Sequence, residues 1–199
     1  MKNNPAKSAL ILASASPRRL ALLEQIDIKP DKVVPAAIYE SPLKDELPRA
    51  HAARLSREKS QAIAAGNPAA TVLAADTVVA CGRRILGKAE TEAEAEKFLH
   101  LLSGRRHKVI GGIAICLPGG KVMERVVETT VQFKRLTEDE MKTYIDSGEW
   151  RDKAGAYAIQ GRAGGWVQFI SGSYSNVVGL SLYDTLQMLN GAGFFHNRT

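Results

Sequence analysis

The chain has 199 residues, of which 45% are hydrophobic and 24% charged, a balance that supports one folded domain spanning 1–199 and excludes a fibrous or disordered chain. Only two cysteines occur, Cys81 and Cys116, with no C-x-x-C, which argues against a disulfide framework or a thiolate metal centre. The net charge of +6 favours anionic partners, but the basic residues are scattered and not interleaved with aromatics, so a nucleic-acid surface is weakly supported and a small polyphosphate accounts for the charge as well. The apolar run near the N-terminus is too short for a membrane span or a secretory h-region, so no membrane contact and a cytoplasmic location are expected.

Ser8 to Ala13 reads as a buried strand. Ser14-Ala15-Ser16-Pro17-Arg18-Arg19 joins it to a helix expected over Pro17 to Ile26, with Ser16 as N-cap and Pro17 at the first helical position. Free N–H groups at a helix start beside two guanidiniums make a seat for phosphate; an ordinary cap with two solvated arginines is the competing reading. Asp27 to Pro48 is irregular, with one short strand expected at Lys32 to Pro35. Arg49 to Ala65 is Ala-rich and helical, stopped by Gly66-Asn67-Pro68. Thr71 to Cys81 is a strong strand interrupted by Asp76-Thr77, and Arg83 to Gly87 reads as a short hairpin arm.

Thr91 to Ser103 is expected to be a helix with a capping box from Thr91 to Glu94. Lys108 to Leu117 and Lys121 to Lys134, joined by Pro118-Gly119-Gly120, suggest a long hairpin with Val127, Thr129, Val131 and Phe133 on one face. Thr137 to Ser147 is a second helix with a capping box, Thr137 to Glu140, closing at Gly148. Trp166 to Ile170 reads as a strand and Ser181 to Leu189 as the last helix. Parallel-type strands first and a hairpin later point to a mixed α/β sheet with a cleft.

Asp76 is the sharpest single residue. A carboxylate inside Val72-Leu73-Ala74-Ala75-Asp76-Thr77-Val78-Val79 is costly unless it is paired, ligates a cation or faces a cleft. Its expected roles are Mg²⁺ ligand, base for a water, or both; satisfaction by backbone donors is the bland alternative. Gly82-Arg83-Arg84-Ile85-Leu86-Gly87-Lys88 has the spacing of a P-loop, but Ala89 follows where a hydroxyl is required, and the P-loop is rejected. Lys88 is then either a point charge for phosphate or a solvated loop lysine. Arg105 and Arg106 after a helix end read as dipole partners, and His107 lacks any accompanying metal-ligand spacing. Asp152 to Gly161 is a loop of small residues in which Gln160 carries both donors and acceptors for a base edge. Gly172 to Leu180 carries small hydroxyls before a helix start, as expected of capping chemistry or of a site.

The ordered set ALILASASPRR, REKS, LAADTVV, ILGKAE, LSGRRHKV, DKAGAYAIQG and GSYSNVVGLSL resembles the Maf family of nucleoside triphosphate pyrophosphatases from Leu12 to about Leu189. The resemblance implies a mixed twisted sheet with flanking helices and two lobes around a cleft, as in inosine triphosphate pyrophosphatases. It implies hydrolysis of a nucleoside triphosphate to the monophosphate and pyrophosphate with a divalent cation, Mg²⁺ or Mn²⁺. Asp76 matches the family's proton acceptor, and on the residues' own chemistry Asp76 together with Glu40 is expected to hold the metal. Ser14, Arg18 and Arg19 match the phosphate-side loop, and Glu40, Lys59 and Lys88 match further polar cleft positions. Arg18, Thr77 and Gln160 match the branch acting on dTTP and UTP, not the one acting on 7-methyl-GTP. A homodimer is a family-level expectation.

This agrees with the residues themselves. The basic groups offset charge on a pyrophosphate leaving group, Asp76 orients water, and Gln160 and Thr77 select a pyrimidine edge. Three positions depart from the family's pattern: Tyr39 for an aspartate, Ala89 for a proline and Ser181 for a proline. The rival readings are a purine-preferring enzyme of the same fold and a nucleotide- or DNA-binding regulator of cell division with little turnover.

Overall fold

The strand β1 (Leu10–Ala13) is apolar and buried at all four positions, as a strand covered on both faces must be. It lies between β2 (Lys32–Val33) and β3 (Thr71–Cys81), parallel to both. In this computed structural model, which describes residues 8–195, the sheet runs β2-β1-β3-β5-β6-β7, and β4 (Arg84–Leu86) pairs back onto β3. The strands β5 (Arg106–Cys116) and β6 (Val122–Phe133) form the long hairpin, and β7 (Val167–Ser171) adds to β6; all pairings from β3 onward are antiparallel. The mixed α/β sheet is therefore the one expected, with parallel strands first. No helix among the described residues is long and apolar enough to cross a membrane.

Helices cover both faces. The eight-residue α1 (Pro17–Glu24) follows β1, and the 18-residue α2 (Pro48–Ala65) packs on β3 and β5. The helices α3 (Glu92–Leu102), α4 (Glu138–Ser147), α5 (Tyr174–Val178) and α6 (Leu182–Gly191) complete the set. Alternation along β3 sorts its side chains. Val72, Ala74, Val78 and Ala80 pack with Ala52, Ile63 and Ala64 of α2. Leu73, Ala75 and Val79 enter the main core with Leu99 and Leu102 of α3, Tyr144 of α4 and Leu189 of α6. Asp76 and Thr77, adjacent in sequence, therefore belong to opposite faces of the sheet.

Several local expectations are corrected. Ser16 occupies the N-cap of α1 but makes no side-chain cap; its N–H instead donates to Ser14 Oγ at 3.1 Å. The Thr91 box is half formed: Glu94 N–H donates to Thr91 Oγ1, while the Glu94 carboxylate accepts from Glu90 N–H. The Thr137–Glu140 box is complete. The strand β5 starts at Arg106, two residues early, and Trp166 falls in a 3₁₀ turn, Arg162–Trp166, before β7. The five-residue α5 was not legible as a helix. Its hydroxyls are capping groups, since Ser173 Oγ accepts from Asn176 N–H and Ser175 Oγ from Leu182 N–H. Phe194 is buried and packs on Phe195 and the main core.

His107 is structural. It is 2% exposed, Nε2 lies 2.9 Å from Tyr157 Oη, and the ring meets the edges of Phe133 and Tyr157. Burial, partly opposed by the Arg105 carbonyl, pushes its pKa down from 6.5 to about 4. Between those values the unfolded chain binds a proton that the folded chain does not. This contribution to stability is therefore complete above about pH 6.5 and is lost as pH falls toward 4. The loss reaches about 2–3 kcal/mol by pH 4.5. Glu46, held down at about 2 by Arg54, adds its own loss only below its ordinary 4.5. Urea midpoints at pH 7 and pH 4.5 should thus diverge in the wild type and converge in His107→Gln. An equal acid slope in both proteins would exclude His107 as the cause.

Candidate active site

The sheet opens beside β3. β1 ends at Ala13, opposite Ala74, and β4 begins pairing only at Val79. Among the described residues no strand pairs that edge over residues 75–78, so a gap is left at the carboxyl end of a parallel strand. Such gaps are where open α/β sheets bind ligands. Asp76 and Thr77 stand in it.

On the α2 face, Asp76 is 7% exposed and Lys59 is 7% exposed. Lys59 Nζ donates to Asp76 Oδ1 at 2.7 Å and lies 2.9 Å from Glu40 Oε1, so one ammonium bridges two carboxylates. This answers how the strand tolerates Asp76: its charge is paired, not satisfied by backbone. The helix reaches that close because of Gly112, which sits opposite Asp76 in the β3–β5 register. A Cβ there would lie 2.0 Å from the Ala52 carbonyl oxygen. Ala52, Ser56 and Lys59 form the buried stripe of α2 that this contact seats.

On the other face, Arg19 is the hub. Its Nη2 donates to Thr77 Oγ1 at 3.1 Å, Nη1 to Ser14 Oγ at 3.0 Å and Nε to the Gly179 carbonyl at 2.9 Å. Burial pushes the Arg19 guanidinium below its ordinary range, and the charges of Asp76 and Glu40 oppose that shift. Arg18 is also lowered by burial and is held up by Asp152. Lys153, lowered by burial and by the positive charges of Arg18 and Lys88, brings the second basic group together. Lys88 is exposed and bridges in antiparallel fashion to Ala154, and Gly155 N–H donates to the Leu86 and Gly87 carbonyls. Gly155, at φ +67°, presses on Val79, where a Cβ would come within 2.7 Å of Cγ1.

Ser14, Arg19, Glu40, Lys59, Asp76 and Thr77 are thus joined by direct contacts or charge, and Arg18 and Lys88 join through Asp152 and Lys153. Gln160 is exposed on the loop that Gly155 docks, and no hydrogen bond ties it to the other site residues among the described residues. Lys153, the Gly179 carbonyl and Gly112 were missed in the sequence. Gly112 had a signal, since a Gly111-Gly112 pair inside a β-branched strand marks close approach of something to the backbone.

Glu96, His100 and Glu138 could share a cation by distance, but they are exposed surface ion pairs on α3 and α4, across the sheet from α2. Asp76 and Glu40 offer hard oxygen donors of the kind Mg²⁺ and Mn²⁺ take. Asp76 Oδ2 has no hydrogen-bond partner among the described residues. The pair fits a divalent cation with one correction to expectation: Lys59 Nζ stands between the two carboxylates.

A gap at the end of a parallel strand, with a lysine-bridged acid pair on one face and an arginine–hydroxyl cluster on the other, defines an α/β protein with a polar, charged cleft. The chain belongs to the Maf family, whose sequence model, described as Maf-like protein, matches residues 9–192. It is 60% identical over 187 residues to a dTTP/UTP pyrophosphatase of Paramagnetospirillum magneticum, covering 94% of this chain and 98% of that one. It is 57% identical over 189 residues to a dTTP/UTP pyrophosphatase of Caulobacter vibrioides, covering 95% and 98%. Among solved structures it is similar to the Staphylococcus aureus Ham1 protein, at a TM-score of 0.46 and 18% identity over 63% of this chain and 72% of that one.

Proposed function

We propose that the chain is a cytoplasmic nucleoside triphosphate pyrophosphatase that converts dTTP and UTP to monophosphate and pyrophosphate, in nucleotide-pool housekeeping. The observation that carries it is the Asp76–Lys59–Glu40 bridge beside the Arg19 cradle. The names of relatives at 57–60% identity support the substrate class. Asp76 Oδ2 takes the proton of a water aimed at the α-phosphorus while the α–β anhydride bond breaks. Arg19, Arg18 and Lys88, with Lys153, offset the charge that develops on the departing pyrophosphate. Lys59 keeps Asp76 aimed into the gap and becomes a phosphate ligand as substrate enters. Asp76 and Glu40 would hold a Mg²⁺ or Mn²⁺ ion, which supplies charge neutralisation on the phosphates when bound.

Arg18, Thr77 and Gln160 are read as the base-selecting set. Gln160, exposed on its loop, has room to meet a pyrimidine edge. The test is a panel of nucleoside triphosphates with Mg²⁺ or Mn²⁺ and separation of the products. Monophosphate and pyrophosphate from dTTP and UTP are expected, and Gln160→Ala should cut pyrimidine over purine preference by about tenfold or more. No turnover of any nucleotide would sink the enzyme reading in favour of a binding role. Unchanged base preference in Gln160→Ala would remove Gln160 from the selecting set.

A further inference from the structure

Glu40 sits in an irregular segment and its side chain is 45% exposed, yet its carboxylate is held at Lys59. Nothing in the segment's own secondary structure fixes it there. The explanation lies one residue on. Arg54 Nη2 donates to the Ser41 carbonyl at 3.1 Å, so α2 grips the backbone immediately after Glu40. Arg54 is itself locked. Nε and Nη2 fork onto the two oxygens of Glu46 at 2.7 and 2.9 Å, and Nη1 reaches Glu58 at 3.2 Å. Glu46 also accepts from Leu43 N–H at 3.0 Å and lies 2.8 Å from His51 Nδ1.

The side chains of Glu46, His51 and Arg54 are 8%, 5% and 12% exposed, so this is a partly buried, bidentate network and not a fully solvated pair, with the Ser41 carbonyl at its exposed edge. Arg54 and Lys59 are five residues apart on one helix. The same rigid element therefore holds the backbone at 41 and the carboxylate at 40.

We propose that Arg54, backed by Glu46 and His51, is a positioning residue that sets Glu40 against Lys59 and thereby aims the Asp76–Lys59 pair. The inference rests on the pyrophosphatase reading for its kinetic consequence, but its structural consequence stands apart. The guanidinium reaches Glu46, the Ser41 carbonyl and Glu58 from three separate nitrogens in one rigid plane, whereas an ammonium offers its donors from a single atom and cannot reproduce that fork. Arg54→Lys keeps the charge and loses the fork.

The test is a double-mutant cycle of Arg54→Lys and Glu40→Gln, read by dTTP turnover and by melting, with a crystal structure of Arg54→Lys. With Glu40 present, Arg54→Lys should lower kcat by about 10²-fold with KM little changed, since small misplacements cost that much. In the Glu40→Gln background the same substitution should change kcat less than about twofold, while the melting shift is the same in both backgrounds. Equal kcat losses in both backgrounds would mean a merely structural role and overturn the proposal. If Arg54→Lys does not fold, Glu46→Gln takes its place in the same cycle. A structure of the variant in which Glu40 keeps its Lys59 contact would overturn the proposal whatever the activity, whereas an inactive wild type would count against the enzyme reading alone.

Discussion

Asp76→Asn should abolish nucleotide turnover while leaving a folded protein. The expected loss in kcat is about 10³-fold or more, the contribution of a positioned general base together with the charge it holds. Asparagine keeps the shape and leaves Oδ1 to accept from Lys59, at the 2.7 Å position the carboxylate uses now. It cannot take a proton from water. The Lys59 ammonium, 9% exposed in its side chain, would retain Glu40 as its only carboxylate partner among the described residues, so some stability is lost as well. About 1–3 kcal/mol is expected, below the cost of deleting a partner outright because the amide still accepts. Product analysis and a thermal melt on one preparation separate the two effects. A folded Asp76→Asn with more than a tenth of wild-type kcat would mean that another group accepts the proton.

Asp76 was legible because a charge inside an apolar run breaks a pattern that needs no partner to be seen. Its partner was only half legible. Lys59 stood out through the family resemblance, and its 17-residue separation from Asp76 gives no local sign of contact. The alternation of β3 carries a second message that single residues hide. Asp76 and Thr77 are neighbours in sequence but serve opposite faces, so Lys59 and Arg19 approach from different sides. The Arg54 network was invisible for a different reason. Apart from Glu58 at i+4, Arg54 reaches out of its helix into an irregular segment, to Glu46 and Ser41, 8 and 13 residues away, where neither a 2.0 nor a 3.6 period applies.

The three departures from the family pattern resolve unequally. Ser181 is absorbed locally: it is the N-cap of α6, accepting from Asp184 N–H and donating to the Asp184 carboxylate at 2.7 Å. Ala89 is 7% exposed and packs in the main core, so the loop after Lys88 is anchored by apolar contact and by the Lys88–Ala154 bridge. Tyr39 is 70% exposed, and nothing in the structure explains it.

Gly112→Ala should be the most damaging single methyl group in the chain outside the reacting residues. The added Cβ would stand 2.0 Å from the Ala52 carbonyl oxygen, 2.6 Å from its carbon and 2.8 Å from Ser56 Oγ. Two of these atoms are helix backbone, which cannot rotate aside as a side chain can. Relief requires α2 to lift off β5, and α2 carries both Lys59 and Arg54. Stability and chemistry are therefore coupled through one contact. The overpacking cost is about 3 kcal/mol, at the upper end for inserted methyls because the obstacle is backbone. For a chain of this size that lowers the melting temperature by roughly 6–12 °C. Below that temperature the folded variant should still lose about 10²-fold in kcat, since Lys59 and Asp76 no longer meet as they do at 2.7 Å. Gly165→Ala is the control, because a Cβ there meets nothing within 4 Å. Should Gly112→Ala melt and turn over like Gly165→Ala, α2 would not be seated by this glycine, and the approach of Lys59 to Asp76 would need another cause.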